Sequence, residues 1–524
     1  MGVHIMKKRI ITFIMVIALV FSMMACGQKG ENSVIYTNIG FEIGDTGGLK
    51  VPFGNGEEIE IVVQDEVGAT NTYIFDKLSQ VTGLNIKPIL IPVSTYKQKV
   101  QILLASDELP DLMTAGTLAE TNDYAMQGAW ESINDHLKEM PNFERIFGKN
   151  SDNNWVFKSL AATDGKLYVF PTVDTNRIVN HGMLYRKDIF DKHGIEMWNS
   201  PETFYDALKK LKELYPESYP LTSKTGALLV KNYGVSWGGL NAYGMYFDES
   251  EKLWKYSDTD PKMRDMLDYF KKLYQEKLLD PEFLTNTQPA WTQRMTTGSS
   301  FVTYDWIGRL DMFQEQTTID GYDLRYGNPV GPSQSIITLS QVLNGGSVVA
   351  KNKNADLSMK LMDFLYSDAG TEMMTLGIKG ETFDIDPEGK IVYLDEELKN
   401  KAKIDIMDLR SKYCMWMSGS YTRVDRRSCY FQYTERELEA QSWPEKCGGL
   451  EPADPVVTFV GDDVSRVADL ASKLSKKFEE VMFKYIVGQA SDDVAWEKWL
   501  QEAKKLGEDE ICKIYNNRHK ELGL

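Results

Sequence analysis

Residues 57–116 read EEIEIVVQDEVGATNTYIFDKLSQVTGLNIKPILIPVSTYKQKVQILLASDELPDLMTAG. Within them EIEIVVQ alternates apolar and polar residues as a strand does, a polar loop runs from Asp65 to Thr72, and Tyr73 to Thr82 has helical spacing. NIKPILIPV is a second strand, Thr95 to Ala105 a second helical stretch, and ELPDLMTAG puts a short apolar strand behind Pro110 and Asp111. Strand, helix, strand, helix, strand implies a parallel sheet, hence an α/β protein. In such sheets ligands lie beyond the carboxyl ends of the strands, here the loops around Asp65 to Asn71 and Thr117 to Tyr124.

Upstream of this unit, Lys7, Lys8 and Arg9 precede an uncharged apolar stretch from Ile10 to Phe21, the pattern of a secretory signal peptide over residues 1–25. The run is too short to span a bilayer comfortably, and nothing later approaches eighteen uncharged apolar residues. Ala25, Cys26 and Gly27 resemble the lipobox of bacterial lipoproteins, with Met23 where Leu is usual; this implies a lipid on Cys26 as the first mature residue. The other reading is a plain secreted protein. Residues 26–56, rich in Gly and poor in apolar periodicity, read as a flexible tether. Lipid, tether and globule together place the protein at the outer face of the cytoplasmic membrane, anchored without entering it.

The 524 residues are 42% hydrophobic, 26% charged and 11% aromatic, which excludes wholesale disorder and supplies core for two domains. Net charge is −17, or −20 once the three signal-peptide cations are gone, and no basic run offsets it; this argues against nucleic-acid partners. Cys414, Cys429, Cys447 and Cys512 match no zinc spacing, and any disulfide pairing among them stays open. Asp384, Asp386, Glu388, Gly389 and Asp395 approximate a calcium loop, but FDID and KIVYLD around a PEG turn read better as a hairpin. No cofactor or metal is expected.

A second α/β unit begins near Ile178: HGMLYRKDIFDKHGI is a strand with a short helix, and Ser200 caps a helix running FYDALKKLKELY. Strands are expected at LLVKNYGVS, SSFVTYDW and GGSVVA, and helices at Pro261 to Gln275 and Leu357 to Ser367.

These segments, in this order, resemble the extracellular solute-binding proteins of ABC importers, specifically the large lipoproteins that serve oligosaccharide uptake in Gram-positive bacteria. The resemblance rests on TGLNIKPILIPV, LLASDELPDLMTAG, LYRKDIFDKHGI with SPETFYDALKKLKE, YQEKLLDPEF, GGSVVAKNKNADLSMKLMDFLYSDAG, GIKGETFDIDPEGKIVY and the tail from Ile486 to Arg518. It implies a two-lobed, type II periplasmic-binding-protein fold whose hinge is crossed more than once. By analogy the crossings fall near Phe170 to Asn176, Tyr326 to Pro332 and Leu376 to Thr382. The amino-terminal lobe would hold 57–172 and 328–375, and the other lobe 173–327 and 376–524. The implied role is that of a monomeric receptor, not an enzyme, which captures an oligosaccharide and hands it to ABC permease subunits.

Sugars offer an apolar face that stacks on aromatic rings and hydroxyls that seek carboxylates, amides and guanidinium groups. The candidates in that company are Trp237 with Tyr243, Trp291, Asp305 with Trp306, and Trp416; the resemblance favours Trp306, ending a strand that lines the cleft in similar sugar binders. For each ring the other reading is a core aromatic. Asp65, Asn71, Thr117 and Asn122 are candidates for hydroxyls, or else turn and cap residues. Arg186 is similar to a family arginine, or else pairs with Asp188 or Asp191. A surface glycoside hydrolase and a ligand-presenting sensor are the competing classes, although no GxSxG or HExxH occurs and the histidines are scattered singly.

Overall fold

The computed structural model describes residues 35–36, 39–106, 109–173, 178–337, 341–401, 404–431, 433–451 and 453–524; the signal peptide and Cys26 lie outside them. Along the chain come β1 (Glu58–Asp65), α1 (Tyr73–Thr82), β2 (Asn85–Pro92), α2 (Val93–Leu104), β3 (Leu112–Thr114), α3 (Leu118–Met126), α4 (Val156–Ser159) and β4 (Phe170–Val173). There follow β5 (His181–Arg186), α5 (Pro201–Leu214), α6 (Gly226–Tyr233), α7 (Pro261–Gln275), α8 (Gln288–Thr297), β6 (Val302–Trp306), α9 (Arg309–Gln316), β7 (Leu324–Gly327) and β8 (Val342–Val349). The rest is mainly helical: α10 (Ala355–Tyr366), α11 (Asp368–Thr375), α12 (Ile406–Tyr413), α13 (Asp462–Ile486), α14 (Asp493–Leu506) and α15 (Glu508–Leu522).

The opening stretch folds as its pattern dictates. Ile74, Phe75, Leu78 and Val81 fall on one face of α1 and are buried, and Gly83 ends the helix in the left-handed conformation at φ +76°. β1 pairs in parallel with β2, from Glu58 opposite Asn85 to Asp65 opposite Pro92, and with β3. Both faces of β1 are covered: Ile61 and Val63 enter one hydrophobic cluster, Val62 another.

The full sheet has the order β2-β1-β3-β8-β4. β8, which comes from far along the chain, inserts antiparallel to both β3 and β4. Gly346 makes this join possible, because a Cβ there would stand 1.8 Å from the Phe170 carbonyl oxygen. The second sheet, β6-β5-β7, is antiparallel. Met183 and Tyr185 face a core shared with α5, α7 and the helices α13 and α14, whereas Leu184 faces a smaller core with Trp291 and Phe313.

Two lobes of a type II binding-protein fold result. The first core draws on Phe41 to Val173 and Val342 to Val424, the second on Val179 to Ile336 and Ala440 to Ile511. The chain passes between them after Val173, after Ile336 and between Phe431, which packs on the first core, and Tyr433, which packs on the second.

Four expectations are corrected. The second crossing does not fall at Tyr326 to Pro332, because Tyr326, Val330 and Ile336 pack in the second lobe's cores and the first core resumes at Val342. Residues 41–53 are not tether: Phe41, Ile43 and Leu49 are buried in the first core, and Phe53 N–H donates to the Thr82 carbonyl at 3.0 Å. The third crossing does not fall at Leu376 to Thr382, because Leu376, Ile378, Phe383, Leu409 and Met417 continue into the first core, and Gln64 N–H bonds Ser418 beside β1. LLVKNYGVS is helical, its Leu229, Val230 and Tyr233 facing the second core at helical spacing. The hairpin at 383–393 forms, and the Asp386 carboxylate accepts the N–H groups of Glu388 and Lys390 across its turn.

Candidate ligand-binding cleft

Strand direction locates the cleft. β1, β3 and β4 all run with their carboxyl ends toward the first crossing, and β8 starts there. In the other lobe the start of β5 and the ends of β6 and β7 meet the crossings. The two sheet edges thus flank the hinge: the loops after Asp65 and Thr114 on one side, and His181 with Trp306 on the other.

Trp306 is 55% exposed, and among the described residues it is the one exposed tryptophan. Its ring meets the His181 ring edge-on at 5.4 Å, a consequence of the register that puts the two residues opposite each other. Its backbone is fixed from behind. The Asp305 carboxylate, 5% exposed, accepts the Trp306 N–H at 2.8 Å and the Arg309 Nε at 3.2 Å. The Arg309 guanidinium lies 5.8 Å from the Trp291 ring, and Trp291 is wholly buried, its Nε1 donating to Thr303 Oγ1 at 2.8 Å. Asp305 and Trp291 therefore brace Trp306 from behind. The sequence signal for Arg309 was its i,i+4 spacing from Asp305; His181 was missed because only the pairing of β6 with β5 brings it beside Trp306.

The hydroxyl candidates of the first lobe mostly build loops. Asp65 accepts the N–H groups of Val67, Gly68 and Ala69 and so shapes the turn after β1, where Gly68 takes φ +69°. Asn71 donates to the carbonyls of Ser411 and Lys412 and accepts from Tyr73 N–H, tying α1 to α12. Thr117 caps α3 in a reciprocal box with Glu120, whose carboxyl these bonds hold below its ordinary range. Asn122 differs: its amide reaches the carbonyls of Leu160 and Ala161, but its Oδ1 is buried with no hydrogen-bond partner.

Four further candidates are removed from the cleft. Arg186 is 1% exposed, held by Asp188 at 2.8 and 2.6 Å, and lies 4.1 Å over the Tyr322 ring. Trp416 is buried in the first core with its Nε1 donating to the Thr375 carbonyl. Tyr243, at φ +67°, packs on Phe478 of α13. Trp237, 8% exposed, packs on Tyr269 and borders a groove of about 490 Å³ made wholly by the second lobe, with Asn199, Glu202, Asp265 and Asp268. In each case an aromatic or cationic group that a loop sequence left unplaced is claimed by a neighbouring helix or strand. Among the described residues no cluster of metal-ligating side chains occurs, and no helix is long and apolar enough to cross a membrane.

Two lobes, three crossings and an exposed ring at the facing edge give the architecture of a binding protein with its cleft between the lobes. The chain belongs to the bacterial extracellular solute-binding protein family, whose model matches residues 74–380. It is 24% identical over 471 residues to lipoprotein LipO of Bacillus subtilis, covering 84% of this chain and 87% of that one. Among solved structures it resembles an extracellular solute-binding protein from Bifidobacterium longum subsp. infantis, with a TM-score of 0.69 at 16% identity over 89% of this chain and 98% of that one. It also resembles the Streptococcus pneumoniae ABC-transporter substrate binding protein FusA in complex with kestose, with a TM-score of 0.62 at 16% identity, covering 89% and 99%. At such identities the structural likeness is one of fold.

Proposed function

We propose that this protein is a lipid-anchored, monomeric receptor that captures an oligosaccharide between its lobes and delivers it to an ABC permease at the outer face of the cytoplasmic membrane. The observation that carries the reading is Trp306: an exposed indole face at the cleft, braced by Asp305 and Arg309, is the surface a pyranose or furanose ring stacks on. Asn122 Oδ1, unpartnered in the first lobe, suits a sugar hydroxyl donor. The relatives support the same reading: FusA was solved with kestose, and LipO is a lipoprotein. Ligand held by both lobes binds the closed form better than the open one, and that difference shifts the population. No bond is made or broken in this scheme.

The test is a thermal-shift screen of the purified protein against plant and host oligosaccharides, followed by calorimetry and chromatography of any hit. A hit at 100 times its dissociation constant raises stability by about 2.7 kcal/mol, and the sugar is recovered uncut. Cleavage products would move the assignment to a hydrolase, and silence across sugars with a response to peptides would move it to another solute. Replacing Cys26 by Ala releases the protein from membranes if the anchor is as proposed.

A further inference from the structure

Beyond the three crossings, the lobes are joined at a fourth place, near the carboxyl terminus. The segment 453–460 runs along the boundary: Val456 packs on the first core, and Val457 and Phe459 on the second. Phe459 meets Tyr515 of α15 at 4.8 Å. Between them, the Thr458 hydroxyl donates to the carbonyl of Ser159 at the end of α4, and the Thr458 carbonyl accepts from Arg518 Nε at 2.8 Å. One residue earlier on α4, Lys158 Nζ donates to the Gly523 carbonyl, just past the end of α15, at 3.0 Å.

Each end of this link is seated in its own lobe. α4 is flanked by Val156 and Leu160, both fully buried in the first core. α15 is held to the second lobe by Ile511, by Asn516, which bonds both the N–H and the carbonyl of Trp254, and by His519 against Phe247 at 4.8 Å. A change in the angle between the lobes therefore moves Ser159 and Lys158 against Thr458 and Gly523. The Thr458 bond ends on a main-chain carbonyl and spans one short side chain, so it has little reach to follow such a movement, whereas Lys158 adds an attraction between the same two ends on a longer stem.

We propose that Thr458 and the Lys158–Gly523 contact form a strap that sets the resting angle between the lobes in the ligand-free protein. It acts without touching ligand. Rigid-body closure has to break or re-form these bonds, and the strap thereby contributes to the equilibrium between open and closed forms on which apparent affinity depends. The proposal does not rest on the sugar assignment, because its test uses no ligand.

The experiment is single-molecule energy transfer between dyes on two genetically encoded keto amino acids, one replacing exposed Lys149 in the first lobe and one replacing exposed Lys210 in the second, which leaves the native cysteines untouched. The double variant Lys158→Met, Thr458→Val removes both side-chain donors. The variant Lys158→Ala, Thr458→Ala removes the same two donors with smaller side chains and serves if the first double variant folds poorly. The expected result is an interlobe distance distribution shifted or broadened beyond the parent's width, with Tm within about 2 °C of the parent, since few buried contacts are lost. An unchanged distribution in a folded variant of either kind overturns the proposal.

Discussion

Trp306 keeps most of a large apolar ring in water, forgoing about 2–3 kcal/mol that full burial would supply. Such a residue contributes little to stability, and its removal is correspondingly cheap for the fold. Trp306→Ala is expected to weaken the ligand found by screening at least tenfold, about 1.4 kcal/mol, with Tm almost unchanged; equal affinity by calorimetry would take the ring out of the site. Asp305→Ala acts through position: it frees both the Trp306 N–H and Arg309, and it is expected to lower affinity and Tm together. Elsewhere Asp258 is fully buried, which pushes its carboxyl up to about 7 although its Oδ1 accepts the Tyr243 N–H at 2.8 Å. A carboxyl raised in the folded state adds stability below its unfolded value near 4, and that contribution is lost as pH rises toward 7. Asp258→Asn should therefore stabilise the protein by several degrees at pH 8 and far less at pH 4.5, and a pH-independent difference in melting scans would contradict the assignment. The sequence could nominate Trp306, Trp291 and Trp416 alike, since each stands beside polar neighbours. It could not separate them, because exposure is decided by which distant helix covers a ring: α9 covers Trp291 through Phe313, and the end of α11 covers Trp416 through Thr375.

At the level of elements, the stretch before β1 carries the clearest consequence. Phe41, Ile43 and Leu49 are buried, Ala369 N–H donates to the Asp45 carbonyl at 2.9 Å, and Asn142 Nδ2 reaches the Thr46 carbonyl at 2.9 Å. A protein beginning at residue 57 is expected to lose several kcal/mol, with each buried side chain worth about 1.5–3 kcal/mol, whereas one beginning at residue 39 should melt like the full mature chain. Equal urea midpoints for the two truncations would show that the segment adds nothing. Its Gly-rich composition hid it: three apolar residues among glycines give no period, and the segment's partners are scattered from Lys77 and Asn142 to Ala369. Where pattern and burial coincide, reading was direct. β1, α1, β2 and β3 follow from alternation, helical spacing and Pro/Gly boundaries, and the helices Pro201–Leu214 and Pro261–Gln275 follow from Ser200 and Asp260 at their caps. The segment Leu228 to Ser236 failed because a short apolar run carries no length to separate strand from helix.

For the whole molecule, two lobes with a shared ligand predict coupled behaviour. A bound ligand should narrow the interlobe distance distribution measured for the strap, and mixing it with a Trp306→Ala protein at the parent's saturating concentration should leave that distribution near its ligand-free form. The lobe count and the first crossing were legible because strands and helices restart near Ile178, while the second and third were not: Val330 and Ile336 still pack on the second lobe's cores, and from Leu376 onward either core could accept the apolar residues, so that only three-dimensional packing assigns them. The insertion of β8 between β3 and β4 has a bearing on biogenesis as well. A chain delivered from its amino terminus shows β2-β1-β3 with an unpaired edge until residue 349 has emerged, because the strand that seals that edge is made after most of the second lobe. The second lobe in turn waits for α13 to α15 at the far end. Neither half is complete until late in synthesis, so the nascent chain is most dependent on chaperones until its final helices arrive.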